Sequence, residues 1–270
     1  MSAASTLSLN ESLAADGIEL RIAASREERA AAFRLVYQSY LRSGLGEPNQ
    51  YQMRVTPYHL LPTTEIFLAT CHGEPIFTMT LVIDGTLGLP MECVYADEVA
   101  RRREEGLKLG EVSCLADRRR HFRGFFPVFV QLSQLMAQHA WRRGLDELLV
   151  AVHPRHARFY RQFMQFKPIG AQRAYPTVKN HPAVALALNF AEVERHRPES
   201  FDTFFGQRLP DEALEPHPIT ESQLAFFAEM IDPAFSFAPL GQCDLPLGSL
   251  QASGYDQQLA TQGSPRTVVG

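Results

Sequence analysis

Between residues 17 and 190, short apolar runs of strand character alternate with longer runs whose apolar residues recur at helical spacing. That alternation constrains the fold more than any other feature of the chain. GIELRIAA (17–24) predicts a first strand. EIFLATCHG (65–73) and EPIFTMTLVID (74–84) predict an antiparallel pair turning at His72-Gly73. KLGEVSCLAD (108–117), the fully apolar ELLVAV (147–152), KPIGAQRAY and HPAVALALNF supply the remaining strands. Ser25 and Glu28 have the spacing of a capping box, and Ala32, Phe33, Val36, Tyr37 and Tyr40 then mark a helix to Leu41. Further helices are expected over 92–106 (ended by Gly106), 127–143 (ended by Gly144) and 154–163, which opens with Pro at the favoured first position. Residues 43–63, with Gly44, Gly46, Pro48, Asn49, Pro57 and Pro62, read as a loop or a pair of very short helices.

The resulting order, β-α-(loop)-β-β-α-β-α-β-α-β-β, implies an α/β (α+β) sandwich. One mixed, mostly antiparallel central sheet carries helices on both faces. Acidic helical stretches follow at about 191–205 and 220–231, then a Pro/Gly/Gln/Ser-rich tail from Ala238. The expected organisation is a flexible terminus (1–16), a core domain (17–190), an appended acidic helical segment (191–237) and a flexible tail (238–270).

Several classes are excluded or disfavoured. At 45% hydrophobic residues the chain is not a wholly disordered one. No apolar run approaches the ~18–20 residues that span a bilayer, and the first 15 residues lack the basic start of a secretory signal, so a cytoplasmic protein is expected. Cys71, Cys93, Cys114 and Cys243 form no C-x-x-C pair, so neither disulfides nor structural zinc is expected.

The net charge of −4 hides a pattern: residues 101–173 carry 15 basic and 6 acidic side chains, and both flanks are net acidic. A basic centre suits an anionic ligand or an acidic partner, although arginines spread over solvated helix faces would give the same count. Arg118, Arg119, Arg120 and Arg123 gather where the long helix opens, against its macrodipole. Phosphate binding is the simplest reason for such a conflict. Nucleic acid is not expected, because the pI is 6.1 and no stacking aromatics interleave at the spacing of known motifs.

Three stretches sharpen the reading. The first is Phe33-Arg34-Leu35-Val36-Tyr37 with Thr56-Pro57-Tyr58 and Leu61-Pro62-Thr63-Thr64; the second is Gly110-Glu111-Val112-Ser113-Cys114-Leu115-Ala116. The third runs from Ala151-Val152-His153-Pro154-Arg155-His156-Ala157-Arg158-Phe159-Tyr160 to Phe166. With the element order, they resemble the GNAT-type acyltransferases, and among them the N-acyl amino acid synthases of the FeeM type, relatives of the acyl-homoserine-lactone synthases. The resemblance spans about residues 17–190. It implies transfer of a long-chain acyl group from acyl carrier protein to the α-amine of an amino acid, with no metal and no tightly bound cofactor. Two departures bear on the donor and the product. Cys114 stands where the homoserine-lactone synthases carry an arginine. The glycine-rich pyrophosphate loop of coenzyme A-dependent members is replaced by Asp117-Arg118-Arg119-Arg120-His121-Phe122-Arg123-Gly124. Phosphopantetheine on an acidic protein fits that run better than acyl-CoA.

Glu111, on a short apolar strand, is the candidate general base: an ammonium must lose a proton before attacking a thioester, and burial raises a Glu pKa toward neutrality. Its alternative is a structural ion pair. Ser113 and the backbone after it are candidate donors to the thioester oxygen. Tyr160 is a candidate acid for the leaving thiolate, or a half-buried helix tyrosine. The resemblance adds Arg34 and Tyr37 near the acyltransferase site, and His153, Arg155 and Phe159 as residues binding substrate or donor; His153 and His156 otherwise cap a helix. Cys114 reads as an inert buried thiol rather than an acyl-accepting nucleophile. Phe122, Phe125, Phe126, Phe129 and Phe159, Phe163, Phe166 crowd two helices, where some could line an acyl tunnel. Alternatives are a homoserine-lactone synthase, a coenzyme A-dependent N-acetyltransferase and, from another class, a non-catalytic module binding acyl chains or their carrier.

Overall fold

The computed structural model describes residues 16–118, 125–232 and 235. The termini expected to be flexible lie outside these residues, Asp16 apart, as do Arg119, Arg120, His121, Phe122 and Arg123.

The elements follow the expected order. They are β1 (Ile18–Ile22), α1 (Arg26–Arg42), β2 (Thr64–Cys71), β3 (Glu74–Ile83), α2 (Glu92–Glu104), β4 (Leu109–Asp117) and α3 (Phe125–Arg142). Then come β5 (Glu147–Val152), α4 (Pro154–Gln162), β6 (Lys167–Tyr175) and β7 (His181–Asn189). Helices α5 (Phe190–His196), α6 (Phe201–Phe205) and α7 (Glu221–Ala228) complete the chain. The loop over 43–63 holds one 3-10 turn, Pro57–Leu60.

The seven strands form one sheet in the order β1-β2-β3-β4-β5-β7-β6, antiparallel except for the β4–β5 pair. The capping box at Ser25 is present: its side chain accepts from Glu28 N (3.1 Å), and Glu28 Oε2 accepts from Ser25 N (3.0 Å). His72 and Gly73 both adopt positive φ in the β2–β3 turn, as a tight hairpin requires.

Strands β2 and β3 are buried on both faces, which is why they read as near-continuous apolar runs. Phe67, Ala69, Met79 and Leu81 pack with Val128, Leu132 and Leu135 of α3. Ile66 and Leu68 point the other way, to Ala30 and Phe33 of α1. Tyr95 and Val99 of α2 cover Val82, Leu149 and Ala185.

The segment after β7 wraps back over the body. Gln138 on α3 donates to Phe204 O (2.9 Å), and Arg142 bonds Glu215 (2.6 Å). The amide of His217 donates to the buried Glu65 carboxylate (3.2 Å), while the His217 carbonyl accepts from Arg29. Phe227 of α7 packs edge-on to Phe33, with centroids 5.1 Å apart. Ile231 bridges Val55, and Asp232 N donates to Val55 O (2.8 Å). This path delivers Phe235 to the cavity described next, and Asp232 to an arginine that lines it.

Candidate active site

Strands β4 and β5 pair through three residues only: Leu109 with Glu147, Gly110 with Leu148 and Glu111 with Leu149. Beyond Glu111 they separate. β4 continues to Asp117 against β3, and β5 continues to Val152 against β7. Splaying two parallel neighbours inside a sheet opens a cleft, and the cavity there measures about 500 Å³. That size is typical of a small-molecule site.

Glu111 stands at the vertex of the splay and lines the cavity, 2% exposed. Its Oε2 accepts from the backbone N–H of Met91 at 2.7 Å. Burial pushes its carboxyl up to about 8; the Met91 bond opposes that rise and the neighbouring Glu92 adds to it. A carboxylate so poised takes a proton readily from an ammonium at neutral to mildly alkaline pH.

Next along β4 the ladder slips. Thr80 pairs with Ser113 but Thr78 with Ala116, so Cys114 and Leu115 together face Met79. This is a β-bulge, and Cys114 takes φ 49° in it. A bulge releases main-chain N–H groups from the ladder, here at the wall of the cavity that Ser113, Cys114 and Leu115 line. Burial holds the Cys114 thiol above its ordinary pKa, which disfavours a thiolate.

Helix α4 forms the opposite wall. His153 caps it, accepting from Arg155 N at 3.2 Å, and Pro154 begins it. Arg155 Nε donates to His156 Nε2 (3.0 Å), so that imidazole is neutral, consistent with a pKa held down by burial and by the Arg155 charge. His153, Arg155, His156, Phe159 and Tyr160 all line the cavity. Burial raises the Tyr160 hydroxyl to about 12, so it stays protonated and able to donate. Phe159 stacks on Phe163 (5.2 Å) and meets Phe126 and Phe129 edge-on, giving this side an apolar floor.

The structure therefore brings together Glu111, Ser113, Tyr160, His153, Arg155 and Phe159. It does not bring Arg34 or Tyr37 to the cavity. Arg34 is exposed, because α1 turns Phe33, Leu35 and Val36 inward. Tyr37 is half-buried, and its hydroxyl accepts from Asn49 N (3.4 Å). Arg118 is exposed and paired with Glu74 (3.0 Å) away from the cavity. Arg119, Arg120 and Arg123 lie outside the described residues. Among those described, no group of three His, Cys, Asp or Glu side chains is placed to hold a metal ion, and no helix is long and apolar enough to cross a membrane.

Sequence reasoning missed Arg54, Tyr175 and Thr177, which line the same cavity. Arg54 is 4% exposed and Tyr175 8%. A lone arginine between Met53 and Val55, in a stretch with no other charge, was the available signal for the first.

Comparison with known proteins agrees with this geometry. The family model described as N-acyl amino acid synthase FeeM matches residues 31–189. The solved structure of FeeM, an N-acyl amino acid synthase from uncultured soil microbes, is 30% identical over 65% of this chain and 91% of that one, with a TM-score of 0.56. The acyl-homoserine-lactone synthase LasI shares the fold at 13% identity, over 72% of this chain and 96% of that one, with a TM-score of 0.51. No curated protein matches the sequence significantly. A family model matched across more than half of the chain is decisive: the chain belongs to the FeeM family of N-acyl amino acid synthases.

Proposed function

We propose that the protein transfers a long-chain fatty acyl group from the phosphopantetheine of acyl carrier protein to the α-amine of an amino acid. The observation that carries this is the buried Glu111 at the vertex of the β4–β5 splay, one cavity wall away from a β-bulge and a protonated tyrosine. Glu111 accepts the ammonium proton, directly or through water. The freed amine attacks the thioester carbonyl carbon, forming the C–N bond. Ser113 and the bulge N–H groups at Cys114 and Leu115 stabilise the oxyanion. The C–S bond then breaks, Tyr160 protonates the departing thiolate, and the second nitrogen proton passes back to the Tyr160 phenolate, leaving the neutral amide. Residues 17–190 supply Glu111, Ser113 and Tyr160, and the segment after them adds Phe235 to the cavity wall.

The donor assignment draws on two features. The aromatic floor of Phe129 and Phe159 suits an acyl chain. On α4, Arg155, Arg158 and Arg161 are exposed, and among the described residues none of them forms an ion pair with a carboxylate. A basic, unpaired helix face whose Arg155 lines the cavity suits an acidic carrier protein better than free coenzyme A.

The test is expression in a bacterial host with mass spectrometry of organic extracts against an empty-vector control, followed by the purified enzyme with acyl-carrier and acyl-CoA donors. New amide-linked lipids, made faster from the carrier-bound donor, are expected. Lactone products would indicate a signal synthase. Tight donor binding without turnover would indicate a non-catalytic module.

A further inference from the structure

Arg54 is an expensive residue to bury, and the fold surrounds it with partners that leave part of it unused. Met53 and Val55 anchor the backbone on either side, 5% and 0% exposed. Arg54 Nη1 donates to Asp232 Oδ2 (2.7 Å) and Nη2 to Thr177 O (2.8 Å). The guanidinium lies 4.8 Å from the Tyr40 ring centroid and 5.2 Å from that of Phe235. A guanidinium carries five N–H bonds. Two have partners among the described residues, and buried Nε has none. Arg54 nevertheless lines the cavity that holds Glu111, Ser113 and Cys114.

Nε is closed off from the cavity, so the N–H bonds of Nη1 and Nη2 not spent on Asp232 and Thr177 are the ones Arg54 can offer an anion there. The Tyr40 and Phe235 rings pack against the guanidinium, whose planar fork matches a carboxylate. Arg155, the other arginine lining the cavity, is exposed on α4 and turned to His156. Tyr40, Arg54, Glu111, Cys114 and Tyr160 all line this one cavity, so the cation and the base face one compartment.

We propose that Arg54 recognises the carboxylate of the acceptor, selecting α-amino acids over simple amines and turning the amine toward Glu111. Asp232 and Thr177 fix the guanidinium, and the acceptor carboxylate takes the Nη N–H bonds they leave free. The inference rests on the acyl-acceptor reading above and extends it to a specificity-determining residue 57 positions before Glu111 in the chain.

Equilibrium binding to the full-length protein tests it without turnover. Each amino acid is titrated beside the amine that lacks only its carboxylate, tyrosine against tyramine being one such pair. The wild-type protein is expected to prefer the carboxylated partner about tenfold or more for at least one pair, the size of a charged hydrogen bond. R54Q is expected to bring that preference to about one, and R54K to restore part of it. No carboxylate preference for any pair in the wild-type protein overturns the proposal whether or not the variants fold; so does an undiminished preference in R54Q. Acyl transfer to the same pairs is measured alongside. Carboxylate-selective binding without transfer removes the catalytic reading and leaves Arg54 its role. Transfer without selectivity does the reverse.

Discussion

The backbone N–H of Met91 donates a 2.7 Å hydrogen bond to Glu111 Oε2, tying the carboxylate at the vertex of the sheet to the loop before α2. The bond positions the base and tempers, without cancelling, the effect of its burial. With the carboxyl near 8, the wild-type rate is expected to rise with pH through about 8 as Glu111 ionises. E111Q should lower kcat by about 10²–10⁴-fold, the usual worth of a positioned proton acceptor, and lose that pH dependence. Acyl transfer followed from pH 6 to 9 checks both. An E111Q profile matching the wild type would remove Glu111 as the base.

The same residue makes a prediction about stability. Its carboxyl titrates near 4.5 when unfolded and about 8 when folded, so the folded state holds the proton more tightly. The contribution to stability is fully present below about 4.5 and is lost as pH rises to about 8. E111Q mimics the protonated form. Wild-type and E111Q melting temperatures should coincide near pH 4.5, and E111Q should become the more stable by several kcal/mol at pH 9. Calorimetry across that range decides it; a gap that does not change with pH would contradict the assigned shift.

Much of the fold was legible because β2, β3 and β5 are covered on both faces and so carry unbroken apolar runs, while Ser25, Pro154, Gly106 and Gly144 mark helix ends. Glu111, Tyr160 and His153 were legible because local motifs carry them. Arg54 was not. Its meaning depends on Asp232, 178 residues away, and on Thr177, 123 away, and no local pattern encodes such pairings. Arg34 misled for the opposite reason: its neighbours Phe33, Leu35 and Val36 define the buried side of α1, and Arg34 falls outside it. The β4 bulge was hidden as well, since Val-Ser-Cys-Leu-Ala contains no glycine to announce a positive φ.

That bulge gives a graded test at Cys114. At φ 49° a side chain costs energy that glycine avoids, and a β-branched one costs most. C114V should lose about 1–3 kcal/mol of stability and most activity, since the bulge would have to flatten. C114A should keep activity, as the thiol carries no acyl group, and a covalent acyl adduct on Cys114 by mass spectrometry would refute that assignment.

Gly110 controls how β4 enters the site. A Cβ there would lie 2.6 Å from Leu145 Cδ1 and 3.0 Å from Leu81 Cδ1, both on fully buried side chains. Both contacts are side-chain methyls that must shift within the packed core to admit it. G110A should therefore cost about 1–3 kcal/mol through overpacking and displace Glu111, its immediate neighbour. Chemical denaturation reads the first effect. The second should appear as a fall in kcat with little change in donor KM.

The unpaired cations of α4 separate the two possible donors. Among the described residues Arg158 bonds only Gln162 (2.9 Å), and Arg161, like it, is exposed and absent from the cavity lining, so neither should be needed for chemistry. Reversing both charges, R158E with R161E, should repel an acidic carrier protein and leave the cavity itself alone. The expected result is a drop of about tenfold or more in kcat/KM for the carrier-bound donor at low salt, with little change for the same acyl group on a short pantetheine thioester. Electrostatic docking also predicts that raising salt toward 0.5 M weakens the wild type and narrows the gap between the two proteins, because exposed charges are screened within a few ångströms there. Equal losses on both donors would place these arginines in the fold rather than in docking, and no loss on either would move the carrier to another face.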